Sequence, residues 1–483
     1  MTLDRGLIER ALREALATGG DFADLYAEAT WSSNVSIEDD RVDRVQYGQS
    51  RGVGIRVVAG DVTGYAYADG WDEEALLRAA RSARAVARHG PASGAARVDA
   101  SRAGAISAGA HGAHVAHREH PLGAHLEADL PPVQPAPATR VELARRANGA
   151  ARAAGGLVRQ VQVRLSDAVQ RIVVASSDGV YAEDERRVAQ LAVAVTAARD
   201  GTLQIGRRVR GGGTTLDLFE RHRPEDVASE AAEVAIRMLD ARPAPAGPMP
   251  VIVANGWGGV LFHEAVGHGL EADHVEKRSS VYADKLGQPV AEPTVTLIDD
   301  ATIPDHRGSF RFDDEGVPAQ QTALVVDGVL VAFLTDRKGA RLLGLPESGN
   351  GRRQSFQYLP IPRMTNLYIK PGPADPAAIL ADTPRGLYVA SLGGGQVDTT
   401  SGQFVFSVTE GYSIENGRLG APVRGATLAG DSFSVLRRID AVGNDFALDP
   451  GLGTCGKLGQ RVAVGVGQPT LRVSEMTVGG TAT

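Results

Sequence analysis

The segment Phe262-His263-Glu264-Ala265-Val266-Gly267-His268-Gly269 limits what this chain can fold into more than any other. Its H-E-x-x-x-H spacing is one residue longer than the H-E-x-x-H helix motif that holds zinc. Histidines at i and i+4 lie about 40° apart around a helix and can share one ion. At i and i+5 they lie about 140° apart, which a regular helix cannot bring to a common ion. If His263 and His268 share a metal, the helix must be interrupted. A π-bulge would bring the second histidine round. So would a helix ending near Gly267 and Gly269, where glycine tolerates unusual dihedrals. The competing reading is a helix carrying two unrelated histidines and an exposed glutamate. Residues 250–254 read as a buried strand, so the motif sits where a strand runs into a helix. Leu261, Phe262 and Val266 would bury that helix and leave Glu264 without an ordinary interior role.

A catalytic zinc takes three protein ligands and keeps one position open. On softness the third is Cys455, in the glycine-rich run of residues 451–456. Glu271 and Asp273 are competing oxygen ligands, or partners that orient the histidines. Cys455 is the only cysteine, so no internal disulfide can form, which fits a reducing compartment. A lone cysteine is otherwise a small buried hydrophobe.

The 483 residues suggest two or three domains, and a hydrophobic fraction of 43% supports a real core. The net charge of -7 argues against a nucleic-acid partner. The short basic runs Arg207-Arg208-Val209-Arg210 and Arg352-Arg353 read as surface pairs or substrate contacts. Residues 1–16 form an amphipathic helix, not a signal peptide. The longest apolar stretch, residues 251–262, is too short and too polar to span a bilayer. The expectation is a soluble, cytoplasmic protein with no membrane partner.

The fold class expected is α+β: an N-terminal two-layer α/β domain, then a strand-rich C-terminal domain bearing the metal helix. Residues 1–90 alternate strands between two helices, with Asp72 as an N-cap. Residues 91–138 are an Ala/Gly/Pro/His-rich linker. Residues 139–245 hold a helix, a β-meander and an amphipathic helix over 224–240. Residues 246–483 are rich in strands and glycine, with a helix near 336–343 and another near 430–440. Asp39-Asp40, Asp178-Gly179, Asp327-Gly328 and Asn416-Gly417 are turns.

Other patterns carry less. Gly451, Gly453 and Gly456 satisfy G-x-G-x-x-G, but a strand follows instead of a helix. Gly48-Gln49-Ser50-Arg51-Gly52 satisfies G-x-S-x-G, but it joins two strands and is no nucleophile elbow. His111, His114, His117, His120 and His125 read as a solvated tract that binds metal only adventitiously.

On several motifs the chain resembles the TldD/PmbA metallopeptidase family. They are Ser36-Ile37-Glu38-Asp39, Gly52-Val53-Gly54-Ile55-Arg56-Val57, residues 261–273, Ser348-Gly349-Asn350-Gly351-Arg352-Arg353 with Met364-Thr365-Asn366, and Glu410-Gly411-Tyr412. The resemblance implies the TldD-like half, which carries H-E-x-x-x-H where the TldE/PmbA-like half lacks it. It implies zinc (Zn2+) held by His263, His268 and Cys455. It also implies cleavage of unfolded or leader-type peptides in the cytoplasm, by a TldD–TldE heterodimer that encloses the site; the sequence leaves a homodimer open. Glu264 is then the general base. Arg353, Asn350, Tyr282 and His306 are candidates to stabilise the oxyanion, and residues 393–395 form either a simple turn or a channel where an extended peptide adds to a strand edge. The alternatives are a non-catalytic subunit whose metal only staples the fold, and a metal hydrolase acting on small amides.

Overall fold

The computed structural model describes residues 3–60, 62–89, 104–107, 119–120 and 136–481. His111, His114, His117 and His125 lie outside them, and of His120 only the backbone is described.

Strands from the two N-terminal segments pair in one sheet. Its spatial order is Gly104–Ser107, Val62–Asp69, Arg41–Ala59, Phe22–Glu38, Val158–Ser176, Tyr181–Arg199, with Thr202–Gly212 pairing onto Tyr181–Arg199. The seam is the antiparallel pairing of Phe22–Glu38 with Val158–Ser176, in register from Asp24↔Ser176 to Glu38↔Gln162. Asp39 and Asp40, at φ 47° and 69°, close the first long hairpin with the mirror-image turn that strand twist favours. Period-two alternation puts the apolar residues on one face. Helices Arg5–Leu16 and Glu73–His89 cover one end of that face. Pro137–Ala153 and Pro224–Met238 cover the other. Asp4 caps the first helix on Leu7 N at 2.8 Å, and Asp72 caps the second on Ala75 N at 2.9 Å.

Part of the opposite face carries the C-terminal region. Tyr26, Ile172 and Val174 pack with Phe356, and the Tyr65 hydroxyl donates to Phe356 O at 2.6 Å and Tyr358 O at 2.9 Å. A Cβ at Gly54 would overlap that hydroxyl, so this docking needs glycine there. Charges cross the same junction: Arg56 pairs with Asp24 and, at 2.8 Å, with Glu315, and Arg186 meets Asp314 at 2.7 Å.

In the C-terminal region, strands Arg385–Val397, Gly247–Val253, Leu471–Gly479, Thr427–Asp431 and Gln403–Glu415 pair in that order, and the last pairs back onto the first. A six-stranded sheet lies beside this ring, ordered Val329–Leu330, Gln321–Val326, Leu297–Asp300, Asn366–Ile369, Gly465–Gln468, Ala447–Leu448. Leu261, Phe262, Ala265 and Val266 belong to the core shared by ring and sheet. The architecture is α+β. No helix among the described residues is long and apolar enough to cross a membrane.

Several local expectations change. The sequence pattern predicts two strands, 158–165 and 171–176, at the start of the β-meander; they are one strand, Val158–Ser176, because pairing on both sides carries the polar middle through. The Gly48–Gly52 pattern lies inside the single strand Arg41–Ala59 instead of joining two. The helix near 430–440 shrinks to Ser432–Arg437, since Thr427–Asp431 and Ile439–Val442 on either side are held as strands by Leu471–Gly479. Residues 393–395 are not a turn but part of the strand Arg385–Val397, where its register with Gln403–Glu415 shifts.

Candidate metal centre

Strand Gly247–Val253 leads through a 3-10 turn, Gly256–Gly259, into the short helix Val260–Ala265. Every residue of that helix is buried except Glu264. The helix then ends instead of bulging. Val266 turns the chain at φ −120° and ψ −52°, and a second 3-10 turn, Gly267–Leu270, follows. This break brings His268 round to the face of His263, with ring centroids 5.2 Å apart. The dihedral departure falls on Val266, not on the glycines, whose φ values are not positive. Gly267 and Gly269 serve close approach instead: a Cβ at Gly267 would overlap the Met364 sulfur, and one at Gly269 would lie 2.8 Å from the Tyr282 ring. Ser432 holds the end of the helix, its buried hydroxyl donating to Ala265 O and, at 3.0 Å, to Gly402 O.

Cys455 arrives on a hairpin formed by Thr454–Lys457 and Gln460–Ala463. Two buried arginines clamp it. Arg363 donates to Cys455 O at 2.7 Å and to Gln460 O at 3.5 Å, and Arg352 donates to Ala463 O at 2.7 Å and to Met364 O at 2.6 Å. Arg352 and Arg353 are therefore interior residues, contrary to the surface or substrate role expected. Arg353 donates to Asp314 O at 2.9 Å and to the Tyr65 hydroxyl at 3.3 Å and lies over the Tyr26 ring at 4.4 Å, while the Arg352 guanidinium lies 5.3 Å from the Phe310 ring. Of the other basic run, Arg208 meets Glu410 at 3.0 Å and Arg210 meets Glu230 at 3.3 Å.

The structure brings His263, His268 and Cys455 together: their donor atoms all lie within 4.8 Å of one another, and all three residues are buried. Cys455 Sγ is 3.3 Å from His268 Nε2. Glu264 reaches the same nitrogen from the rim, its Oε2 3.7 Å away and its side chain one-quarter exposed. His268 Nδ1 faces Glu271 Oε2 at 2.9 Å; an ionised carboxylate can only accept, so Nδ1 carries the hydrogen and Nε2 is left for the thiol side. Burial would push the Cys455 thiol up, but His263 and His268 reverse this and hold it well below its ordinary value. Burial likewise opposes charge on His268, yet Glu271 and Cys455 outweigh it and raise the ring well above the usual range. His263 is raised too, with burial opposing and Cys455 prevailing.

The donor set fits a metal. Both ring nitrogens of His263 are buried without a hydrogen-bond partner, a costly state that a coordinate bond relieves at one of the two. One thiolate and two imidazoles suit zinc, and Glu271 supplies the outer carboxylate that such histidines commonly have. Glu271, Asp273 and His274 also place donor atoms within 4.8 Å of one another. There the Lys457 ammonium lies 2.8 Å from Glu271 and 2.6 Å from Asp273, so a cation already sits between the carboxylates.

Three oxyanion candidates are committed elsewhere. Asn350 bonds Asp299, Arg363 O and Ser348; His306 faces Asn366 at 2.9 Å; Arg353 serves the sheet junction. Tyr282 is fully buried against Phe433, and its ring packs beside Gly269. The sequence reading missed Lys457, Arg363 and Ser432. Only Lys457 had a local signal: it lies two residues after Cys455, on the same face of a strand.

Profiles of the PmbA/TldA metallopeptidase match three stretches: domain 1 over residues 23–87, the central domain over 130–239 and the C-terminal domain over 246–480. The chain is 39% identical over 466 residues to the metalloprotease TldD homolog of Haemophilus influenzae, covering 95% of this chain and 93% of that one. It is 34% identical to a metalloprotease of Methanothermobacter thermautotrophicus, covering 95% and 96%. Among solved structures it resembles TldE from Thermococcus kodakarensis, with TM-score 0.76 and 18% identity over 98% of this chain and 100% of that one, a likeness of fold alone. On matches spanning nearly its whole length, the chain belongs to the PmbA/TldD metallopeptidase family.

Proposed function

We propose that this chain is a zinc-dependent peptidase subunit that cleaves unfolded or leader-type peptides, with His263, His268 and Cys455 as metal ligands and Glu264 as general base. The observation that carries the reading is the convergence of three buried donors, one of them a histidine whose ring nitrogens have no hydrogen-bond partner, beside the partly exposed carboxylate of Glu264. Zinc bound there supplies Lewis acidity, polarising a carbonyl and acidifying water.

The protein's own groups do the rest. Glu264, the only residue of its helix turned away from the core, takes a proton from the attacking water and returns it to the leaving amine nitrogen. Glu271 keeps the hydrogen of His268 on Nδ1. The clamps of Arg352 and Arg363 keep the Cys455 hairpin against the motif. A lone reduced cysteine supports work in the cytoplasm. The proposed partner is a TldE/PmbA-like subunit in a heterodimer, with a second copy of this chain as the other arrangement.

The test is Glu264→Gln assayed on an unfolded polypeptide together with the partner subunit. The expected result is unchanged zinc content with peptide cleavage lost; cleavage at the wild-type rate would overturn the role of Glu264.

A further inference from the structure

Lys457 is buried, yet all three hydrogens of its ammonium have acceptors: Glu271 Oε2 at 2.8 Å, Asp273 Oδ1 at 2.6 Å and Pro362 O at 3.1 Å. It lies two residues beyond Cys455 on the strand Thr454–Lys457, so both side chains leave the same face. One oxygen, Glu271 Oε2, accepts from both Lys457 and His268 Nδ1. A single strand thus presents the thiol to Nε2 of His268 and, through Glu271, governs what Nδ1 of the same ring meets.

We propose that Lys457 is a positioning residue of the metal centre, which holds the Glu271 carboxylate in place so that His268 keeps one ring orientation toward the ion. The inference rests on the metal-site reading above and deepens it. Stability alone does not explain the pair. Burying a lysine and a glutamate costs desolvation that their attraction barely offsets, and two apolar side chains would serve the fold as well. What an apolar pair cannot do is offer a fixed carboxylate to His268. Without the ammonium, Glu271 would be a fully buried carboxylate whose other oxygen has no partner, next to Asp273. It would then turn away, and the histidine would lose its anchor. Lys457 also couples the two halves of the ligand set, because a shift of the Cys455 hairpin moves the group that restrains His268.

The experiment measures affinity for zinc and for cobalt(II) in the full-length protein, by competition with a chromophoric chelator, with the visible spectrum of the cobalt form as second readout. Lys457→Met should weaken binding about 10–100-fold, the usual consequence of losing an outer partner of a metal-bound histidine. It should also change the cobalt spectrum. In a Glu271→Gln background the same substitution should have little further effect, because Lys457 acts through that carboxylate. A merely structural lysine would instead lower the melting temperature of the metal-free protein and leave affinity and spectrum unchanged in the folded fraction, and that result would overturn the proposal. If Lys457→Met does not fold, Lys457→Gln carries the same comparison with an uncharged donor, and wild-type affinity there is equally fatal. A wild type that binds neither metal sinks the ligand set itself; a wild type that binds, with a Lys457 variant that binds equally well, sinks only the role of Lys457.

Discussion

Cys455 Sγ lies 3.3 Å from Nε2 of His268, a residue 187 positions earlier in the chain. No other cysteine exists to replace it. Cys455→Ser should therefore lose tightly held zinc, since a hydroxyl is a far poorer ligand than a thiolate at neutral pH. Elemental analysis of tag-free wild type and variant checks this, and equal zinc in both would remove Cys455 from the site.

The break at Val266 depends on what packs beneath it. Gly267→Ala would drive a methyl group into Met364, which is fully buried and has little room to retreat. We expect a loss of about 1–3 kcal/mol in denaturant unfolding. Replacing Met364 by a smaller residue in the same chain should restore part of that loss. A Gly267→Ala protein as stable as wild type would mean the segment can shift without penalty.

Ser432→Ala removes the hydroxyl that donates to Ala265 O at the end of the motif helix. The carbonyl is left in a buried setting, which costs about 1–3 kcal/mol. Thermal and denaturant unfolding should show that loss, and weaker metal retention should accompany it because the helix end positions both histidines. Unaltered stability would show that Ala265 O finds another donor.

Glu28 reports on the sheet junction. Burial, with Asp314 nearby, outweighs the hydrogen bonds from Tyr26 and Gln170 and raises its carboxyl from 4.5 to about 7. A raised acid keeps its proton in the folded state, so its contribution is full below pH 4.5 and is lost as pH climbs through about 7. At about 1.4 kcal/mol per unit, the swing is about 3 kcal/mol. Glu28→Gln, which keeps an acceptor for Tyr26, should flatten stability against pH across that window. A variant whose pH profile overlays wild type would place the titration on another group.

Much of the local structure was legible because it depends on neighbouring residues alone. The hairpin turns at Asp39-Asp40, Asp327-Gly328 and Asn416-Gly417 follow from residues that tolerate positive φ. The helices Arg5–Leu16 and Pro224–Met238 follow from apolar spacing. Strand lengths were harder: the long strand Val158–Ser176 runs through a polar middle because partners on both sides hold it, and no window of its own sequence records them.

The sequence by itself determined that His263 and His268, five residues apart, could meet only across an interrupted helix, and that a single cysteine was available to join them. Those are limits set by helix geometry and by ligand chemistry, both local. The tertiary structure alone decided where the helix breaks, because the turn at Val266 is imposed by packing against Met364 and by the Ser432 hydroxyl on Ala265 O. It also decided that Lys457 stands beside Glu271, that Arg352 and Arg363 are interior clamps, and that residues 22–38 and 158–176 share one sheet. Each of those is a contact between residues far apart in the chain, and periodicity within either segment says which face is buried but not what buries it.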